Sequence, residues 1–175
     1  MRSGAVRCVV DTDVAVTANG RNAAASPECV AACARALLEI TSRGHVFVDD
    51  GRRIVGEYQN NLALHGDPRE GTAFLKWLLT NEWNPGRVTR VVLTPKPSDP
   101  DDFEELPQPP AGVCYDPSDR KFLAVAAAHA DHPKILQALD SKWWGWREAL
   151  EASGVAIHFL CPAEIARKHA EKMGP

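Results

Sequence analysis

Four carboxylates stand where an expected strand gives way to a turn or helix. Asp11, followed by Thr12 and Asp13, ends the apolar run at Val9-Val10. Glu57 falls in the second turn of an expected helix, Asp119 opens another, and Asp140 directly follows a later strand. Carboxylates gathered without compensation repel and raise one another's pKa, so such a group persists best around a divalent cation. An all-oxygen ligand set favours Mg²⁺ or Mn²⁺ over Zn²⁺, and a partly hydrated ion of that kind activates water while clamping a phosphate oxygen. Phosphodiester hydrolysis is the reaction such a group suits. Each acid also has a plain structural use. Asp116 and Asp119 read as a capping box with Pro117 at the first helical position, Asp140 as a helix cap, Asp11 as a turn or cap, and Glu57 as a solvated helix residue. Convergence from four separate units on one edge of a sheet separates the metal site from these local uses.

The elements that would position the acids follow from apolar periodicity. An apolar run beginning near Val6 delivers Asp11 to the carboxyl end of a first strand, where open α/β sheets bind ligands. Thr17 to Ala25 reads as a small, polar connection, and Ser26 and Pro27 as the cap and first residue of a helix to about Ser42 that carries Cys29 and Cys33 as packing residues. His45 to Val48 is a second strand. Ile54, Val55, Tyr58 and Leu62 form the apolar face of the next helix, Asp67-Pro68 starts a third, and Asn84-Pro85-Gly86 closes it before a strand at Val88 to Leu93. Residues 94–117 hold seven of the thirteen prolines and a run of acids, and read as a long ordered loop with a solvated acidic face and no ligand role. A helix from Asp116-Asp119 to about Ala130, a strand at Ile135 to Leu139, a helix from Asp140-Ser141 to Gly154, a strand at Val155 to Leu160 and a last helix from Pro162 complete the chain. Alternating strands and helices predict a parallel sheet covered on both faces.

A chain of 175 residues with 45 % hydrophobic residues suits one domain, 1–175, with one core. The net charge of -3 excludes a basic nucleic-acid glove and leaves a local patch or bound metal to meet such a partner. Five scattered cysteines, Cys8, Cys29, Cys33, Cys114 and Cys161, without a CxxC pair, favour neither a disulfide framework nor a zinc site. With no secretory or membrane-spanning apolar run, the expectation is a soluble protein of the reducing cytoplasm.

Val9-Val10-Asp11-Thr12-Asp13-Val14, Ile54-Val55-Gly56-Glu57-Tyr58, Asp116-Pro117-Ser118-Asp119-Arg120-Lys121-Phe122 and Leu139-Asp140-Ser141-Lys142-Trp143, in this order and spacing, resemble PIN-domain proteins over nearly the whole chain. The resemblance implies a three-layer α/β/α sandwich around a mostly parallel five-stranded sheet and a metal-dependent nuclease acting on RNA, with DNA as the alternative. It places the catalytic and metal-binding positions at Asp11, Glu57, Asp119 and Asp140 and the ion as Mg²⁺ or Mn²⁺. Asp13 stands where many members carry Asn, and Lys142 where many carry a further acid. Many members are toxins held by a protein antitoxin, so the expected partners are an RNA substrate, an antitoxin in the toxin case and a second copy of the chain as a homodimer.

Thr12, Asp13 and Asp116 are secondary candidates, and Arg120, Lys121 and Lys142 flank the acids as candidates for phosphate contact. His129 and His132 read as structural for want of a third ligand. Trp143, Trp144 and Trp146 suit the core better than base stacking, with at least one buried. Two rivals share some of these features. Asp11-Thr12-Asp13 after an apolar strand, with Thr94 after another, also resembles a phosphatase of the haloacid dehalogenase type, although the Gly-Thr usual after its acidic pair is absent. A PIN fold that binds RNA or protein without cutting is the other.

Overall fold

The structure, a computed structural model, describes residues 5–66 and 69–174. In chain order the elements are β1 (Arg7–Val10), α1 (Thr12–Ala18), α2 (Pro27–Arg43), β2 (His45–Asp49), α3 (Arg53–Asn61), α4 (Glu70–Asn81) and β3 (Val88–Val91). They continue with β4 (Pro95–Lys96), β5 (Asp99–Phe103), α5 (Arg120–Ala128), β6 (Lys134–Gln137), α6 (Ser141–Ala152), β7 (Ile157–Phe159) and α7 (Pro162–Met173).

Five strands form one sheet in the order β3-β2-β1-β6-β7, every pairing parallel. The α/β class and the five parallel strands agree with the sequence expectation. With the strand order observed, the right-handed crossovers that parallel strands adopt put the connections of β1, β2 and β3 on one face and those leading to β6 and β7 on the other, consistent with three layers. α1, α2 and α4 pack together, while α5 lies across β1, β2 and β6. Sheet strands buried on both faces read as continuous apolar runs, and Val9, Val10, Val46, Phe47, Val48 and Ile135 are accordingly solvent-free.

Several local expectations hold. Ser26 Oγ accepts the Cys29 N–H at 3.1 Å with Pro27 opening α2, and Gly44 ends it. The strands are a few residues shorter than their apolar runs, and the expected helix start at Asp67-Pro68 lies outside the described residues. Three expectations change. A seven-residue helix, α1, precedes the expected connection and takes its first two residues, Thr17 and Ala18, while 19–25 connect as expected; the single buried face of Val14, Ala15 and Ala18 is too short for a periodic signal. The proline-rich segment contains an antiparallel hairpin, β4 and β5, which buries Phe103 and ties Lys96 to Asp102 at 2.9 Å.

The third change is a disulfide between Cys29 and Cys161, 132 residues apart. No local motif announces it, because the packing of α7's N-cap residue against α2's first turn is what makes the pair. Closing so long a loop restricts the unfolded chain, so reduction by a dithiol should cost about 2–5 kcal/mol, read as a lower thermal midpoint. An unchanged midpoint would show that packing alone holds α7.

α1 is held in place by α4. Asn19 exchanges hydrogen bonds with Thr72, at 3.0 Å from its amide to Oγ1 and 3.2 Å from the Thr72 N–H to Oδ1. A Cβ on Gly71 would fall 2.1 Å from the Ala15 carbonyl oxygen. Because the obstacle is backbone, Gly71→Ala should destabilise by about 1–3 kcal/mol, measured by denaturant titration, despite alanine's better helix propensity. A more stable variant would mean α4 can slide off α1.

Candidate active site

β1 has β2 on one side and β6 on the other, so strand order reverses there, and ligands in open α/β sheets bind beside the carboxyl ends of such strands. Asp11 is the first residue after β1. Its N–H donates to the Leu136 carbonyl at 3.0 Å, and its Oδ2 accepts the Asp13 N–H at 3.1 Å, capping α1. Only 5 % exposed, its carboxyl is pushed well above the usual range by burial first, then by the charges of Asp119, Asp13 and Glu57.

Glu57 reaches this point through two residues that carried no functional signal in the sequence. Asp49, at the end of β2, accepts the Arg53 and Ile54 N–H groups, each at 2.8 Å, and so caps α3. Tyr58, read as part of an apolar face, also donates its hydroxyl to the Val10 carbonyl and fastens α3 to the last residue of β1. Glu57 then accepts from Thr12 Oγ1 at 2.6 Å and pairs through its other oxygen with Lys121. The amphipathic pattern of α3 could locate its buried face but not these polar anchors.

The remaining acids gather around Lys142. Its Nζ lies 3.0 Å from Asp116, 2.9 Å from Asp119 and 3.4 Å from Asp140. These carboxylates raise the Lys142 pKa despite the opposing effect of desolvation. Burial first, then Asp140 and Asp116, push Asp119 up to about 6 against the relief that Lys142 gives. The Lys142 contact is at ion-pair distance but out of hydrogen-bond alignment with the buried Asp119 Oδ2. Asp116 is held down at about 2 by its bonds from Ser118 and Lys142.

That geometry corrects the capping box. α5 starts at Arg120, Asp119 is a helical N-cap residue without a side-chain cap bond, and Asp116 closes a turn by accepting the Ser118 N–H at 3.0 Å and hydroxyl at 2.7 Å. Asp140 both caps α6, accepting the Lys142 N–H at 3.3 Å, and faces the Lys142 ammonium. Asp13 is turned toward the backbone instead, accepting the Leu139 N–H at 2.7 Å and the Asn22 amide at 3.2 Å. Arg120, a phosphate candidate, is drawn to the hairpin, donating to Asp99 at 3.0 Å and to the Tyr115 carbonyl at 3.1 Å. Lys121, the neighbouring candidate, is spent on Glu57 and the Ser118 carbonyl. His129 and His132 lie ahead of β6, at the opposite edge of the sheet. Trp143 is fully buried, while Trp144 and Trp146 pack on Phe159 and Tyr115.

Beside Glu57 and Lys121 opens a cleft of about 430 Å³, bordered by Arg53, Asn60, Asp101 and Ser118. A larger groove of about 660 Å³ lies at the amino-terminal edge of the sheet among Arg7, Pro133 and His158, away from all four acids. The smaller cleft is the one bordered by Glu57, a member of the acidic group, and charge, not volume, marks a site for phosphate chemistry. The oxygen donors suit a hard divalent ion. Among the described residues, no three of the acids bring donor atoms within 4.8 Å of one another, so the arrangement fits an ion held by one or two carboxylates and water better than a closed protein cage.

No protein-family model matches the chain, and no curated protein or solved structure matches it significantly. Among the described residues, no helix is long and apolar enough to cross a membrane.

Proposed function

We propose that the protein is a divalent-metal-dependent endonuclease of the PIN type, hydrolysing phosphodiester bonds of RNA. The observation that carries this reading is the placement of buried Asp11 and Asp119, with Glu57 tied to Thr12 and Lys121 beside them, from three separate elements at the switch point of the sheet. Two carboxyl groups that burial and like charge drive above their usual range store repulsion that a bound cation relieves. Asp11 and Asp119 would hold Mg²⁺ or Mn²⁺, with Glu57 and Asp140 beside them. Such an ion supplies an activated water and neutralises charge on the scissile phosphate. The protein's own contribution is placement: Asp49 and Tyr58 hold Glu57 against Thr12, and Asp140 anchors the turn that presents Lys142. Arg53, which borders the cleft beside Glu57 and pairs there with Asp101 at 3.6 Å, would exchange that partner for the phosphate backbone.

The phosphatase reading needs Asp13 as a free acid, whereas its oxygens accept from Leu139 and Asn22. In a toxin role, a protein antitoxin would cover the same cleft. The direct test is incubation with single-stranded RNA, structured RNA, DNA and a phosphomonoester, with Mn²⁺, Mg²⁺ or EDTA. The expected result is metal-dependent RNA cleavage abolished by EDTA. Hydrolysis of the monoester with a trapped phosphoaspartate would replace this reading with the phosphatase. RNA binding without cleavage under any metal would replace it with the binding module.

A further inference from the structure

Away from the acidic site, the disulfide has a third sulfur beside it. The sulfur atoms of Cys29, Cys33 and Cys161 all lie within 4.8 Å of one another, and all three residues are buried. Cys29 and Cys33 are four residues apart on α2 and so share one face, while Cys161 is the residue on which α7 begins. Cys29 is the third residue of α2, a helix of 17 residues, and Cys161 the N-cap of α7, a helix of 12. Two helix N-termini thus converge on the sulfurs, and their positive ends favour thiolates. A plain cross-link uses two sulfurs and gives no reason for the third.

We propose that, once the Cys29–Cys161 bond is reduced, Cys29, Cys33 and Cys161 form a three-sulfur site for a single thiophilic d¹⁰ cation, Cu⁺ or Zn²⁺. The disulfide and the metal are then alternative occupants of one site, and the proposal is independent of the nuclease reading. A dithiol reductant supplies two electrons and two protons, opening the bond to two thiols as the reductant closes to its own cyclic disulfide. The cation then displaces one proton from each of three thiols to solvent and forms three metal–sulfur bonds. Soft thiolate ligands select these ions over Mg²⁺ and Mn²⁺, so the two sites do not compete for metal.

The rival use of Cys33, as a thiol that attacks the neighbouring disulfide, is disfavoured by its surroundings. Burial first, then the charges of Asp13 and Glu164, push its thiol up to about 12, so it stays protonated and weakly nucleophilic at neutral pH. Coordination removes that obstacle because a bound cation deprotonates the thiol outright. The same two carboxylates are otherwise engaged, Glu164 with Ser26 at the cap of α2 and Asp13 with Leu139.

The test uses the full-length chain, reduced with a dithiol and freed of it without oxygen, then titrated with Cu⁺ and, as an absorbing stand-in for Zn²⁺, with Co²⁺. Thiolate-to-metal charge-transfer absorption should saturate at one ion per chain in at least one arm, and the oxidised chain should give none. Cys33→Ala, which leaves the disulfide pair intact, should weaken binding by about tenfold or more, since even outer groups of metal sites cost that much. Cys114→Ser, at the exposed cysteine, should bind as wild type does. As a measurement free of folding effects in variants, alkylation of the reduced wild type followed by peptide mass spectrometry should show that the bound ion protects Cys29, Cys33 and Cys161 together. Absence of charge-transfer absorption in both arms would overturn the proposal, as would binding that survives oxidation or Cys33→Ala, or protection confined to Cys114.

Discussion

Asp11→Asn should lose about a hundredfold or more in the single-turnover rate of RNA cleavage with saturating Mn²⁺, and Asp119→Asn should lose a comparable factor. Each substitution keeps the shape of the side chain and removes the charge that would hold the ion. Asp11 is almost solvent-free and shares its electrostatic burden with Asp119 and Glu57, so water cannot substitute for it. The loss should fall on kcat, because the ion these carboxylates would hold acts on the attacking water and the reacting phosphate. Asp131→Asn, an exposed acid paired with Arg7 near the opposite edge of the sheet, is the matched control and should leave the rate unchanged. If Asp11→Asn cleaves within about threefold of wild type while the protein remains folded, Asp11 does not hold the reacting ion.

The second large effect is on stability and has a definite sign. Asp119 titrates near 6 in the folded chain against an ordinary value of 3.8, so between these values the folded chain binds more protons than the unfolded one. Raising the pH through that window should therefore destabilise the metal-free protein, by about 3 kcal/mol in total. Asp11, raised by the same causes, acts in the same direction. Asp116 acts oppositely: held near 2, it contributes stability above its ordinary range that is lost as pH falls toward 2, a smaller effect because its side chain is 39 % exposed.

Asp119→Asn should flatten the decline and, without metal, be more stable than wild type at pH 7. Mn²⁺ should reverse that order, since a ligand at a hundred times its dissociation constant stabilises the folded state by about 2.7 kcal/mol. Lys142→Met should sharpen the contrast. The metal-free variant loses the cation shared by Asp116, Asp119 and Asp140 and becomes less stable, while its Mn²⁺ response grows because no ammonium competes for those oxygens. Denaturant titrations from pH 4 to 8, with and without Mn²⁺, read all three proteins. A wild type whose stability rises steadily from pH 4 to 6, or which ignores Mn²⁺, would show that the acids do not act as one site.

Local physics made much of the frame legible. Ser26-Pro27 announced α2 because capping and proline's fixed φ act within one turn, and apolar runs located the strands, most sharply β1 and β2 at the centre of the sheet, because strands buried on both faces need apolar residues throughout. α1 escaped notice because seven residues give too few repeats of the helical period. The hairpin in the proline-rich segment escaped because its ties, Arg120 to Asp99 and Arg53 over Phe103, join residues far apart in the chain. The candidate acids could be placed at strand ends, yet three nearby polar residues changed meaning on folding. Asp13 serves the backbone, Arg120 serves the hairpin, and Tyr58 serves β1.

The sequence by itself therefore determined the alternation of strands and helices and the delivery of Asp11 and Asp140 to strand ends, because each depends on residues within a turn or two of one another, and the alternation in turn implied a parallel sheet. Only the tertiary structure decided which cation sits among which carboxylates: Lys142 among Asp116, Asp119 and Asp140, and Lys121 against Glu57. It alone decided that Cys161 meets Cys29 with Cys33 beside them, across 132 residues. Charge pairing and sulfur contact act over a few ångströms. Distances of that kind between remote segments are set by how helices pack on the sheet, which local periodicity does not encode.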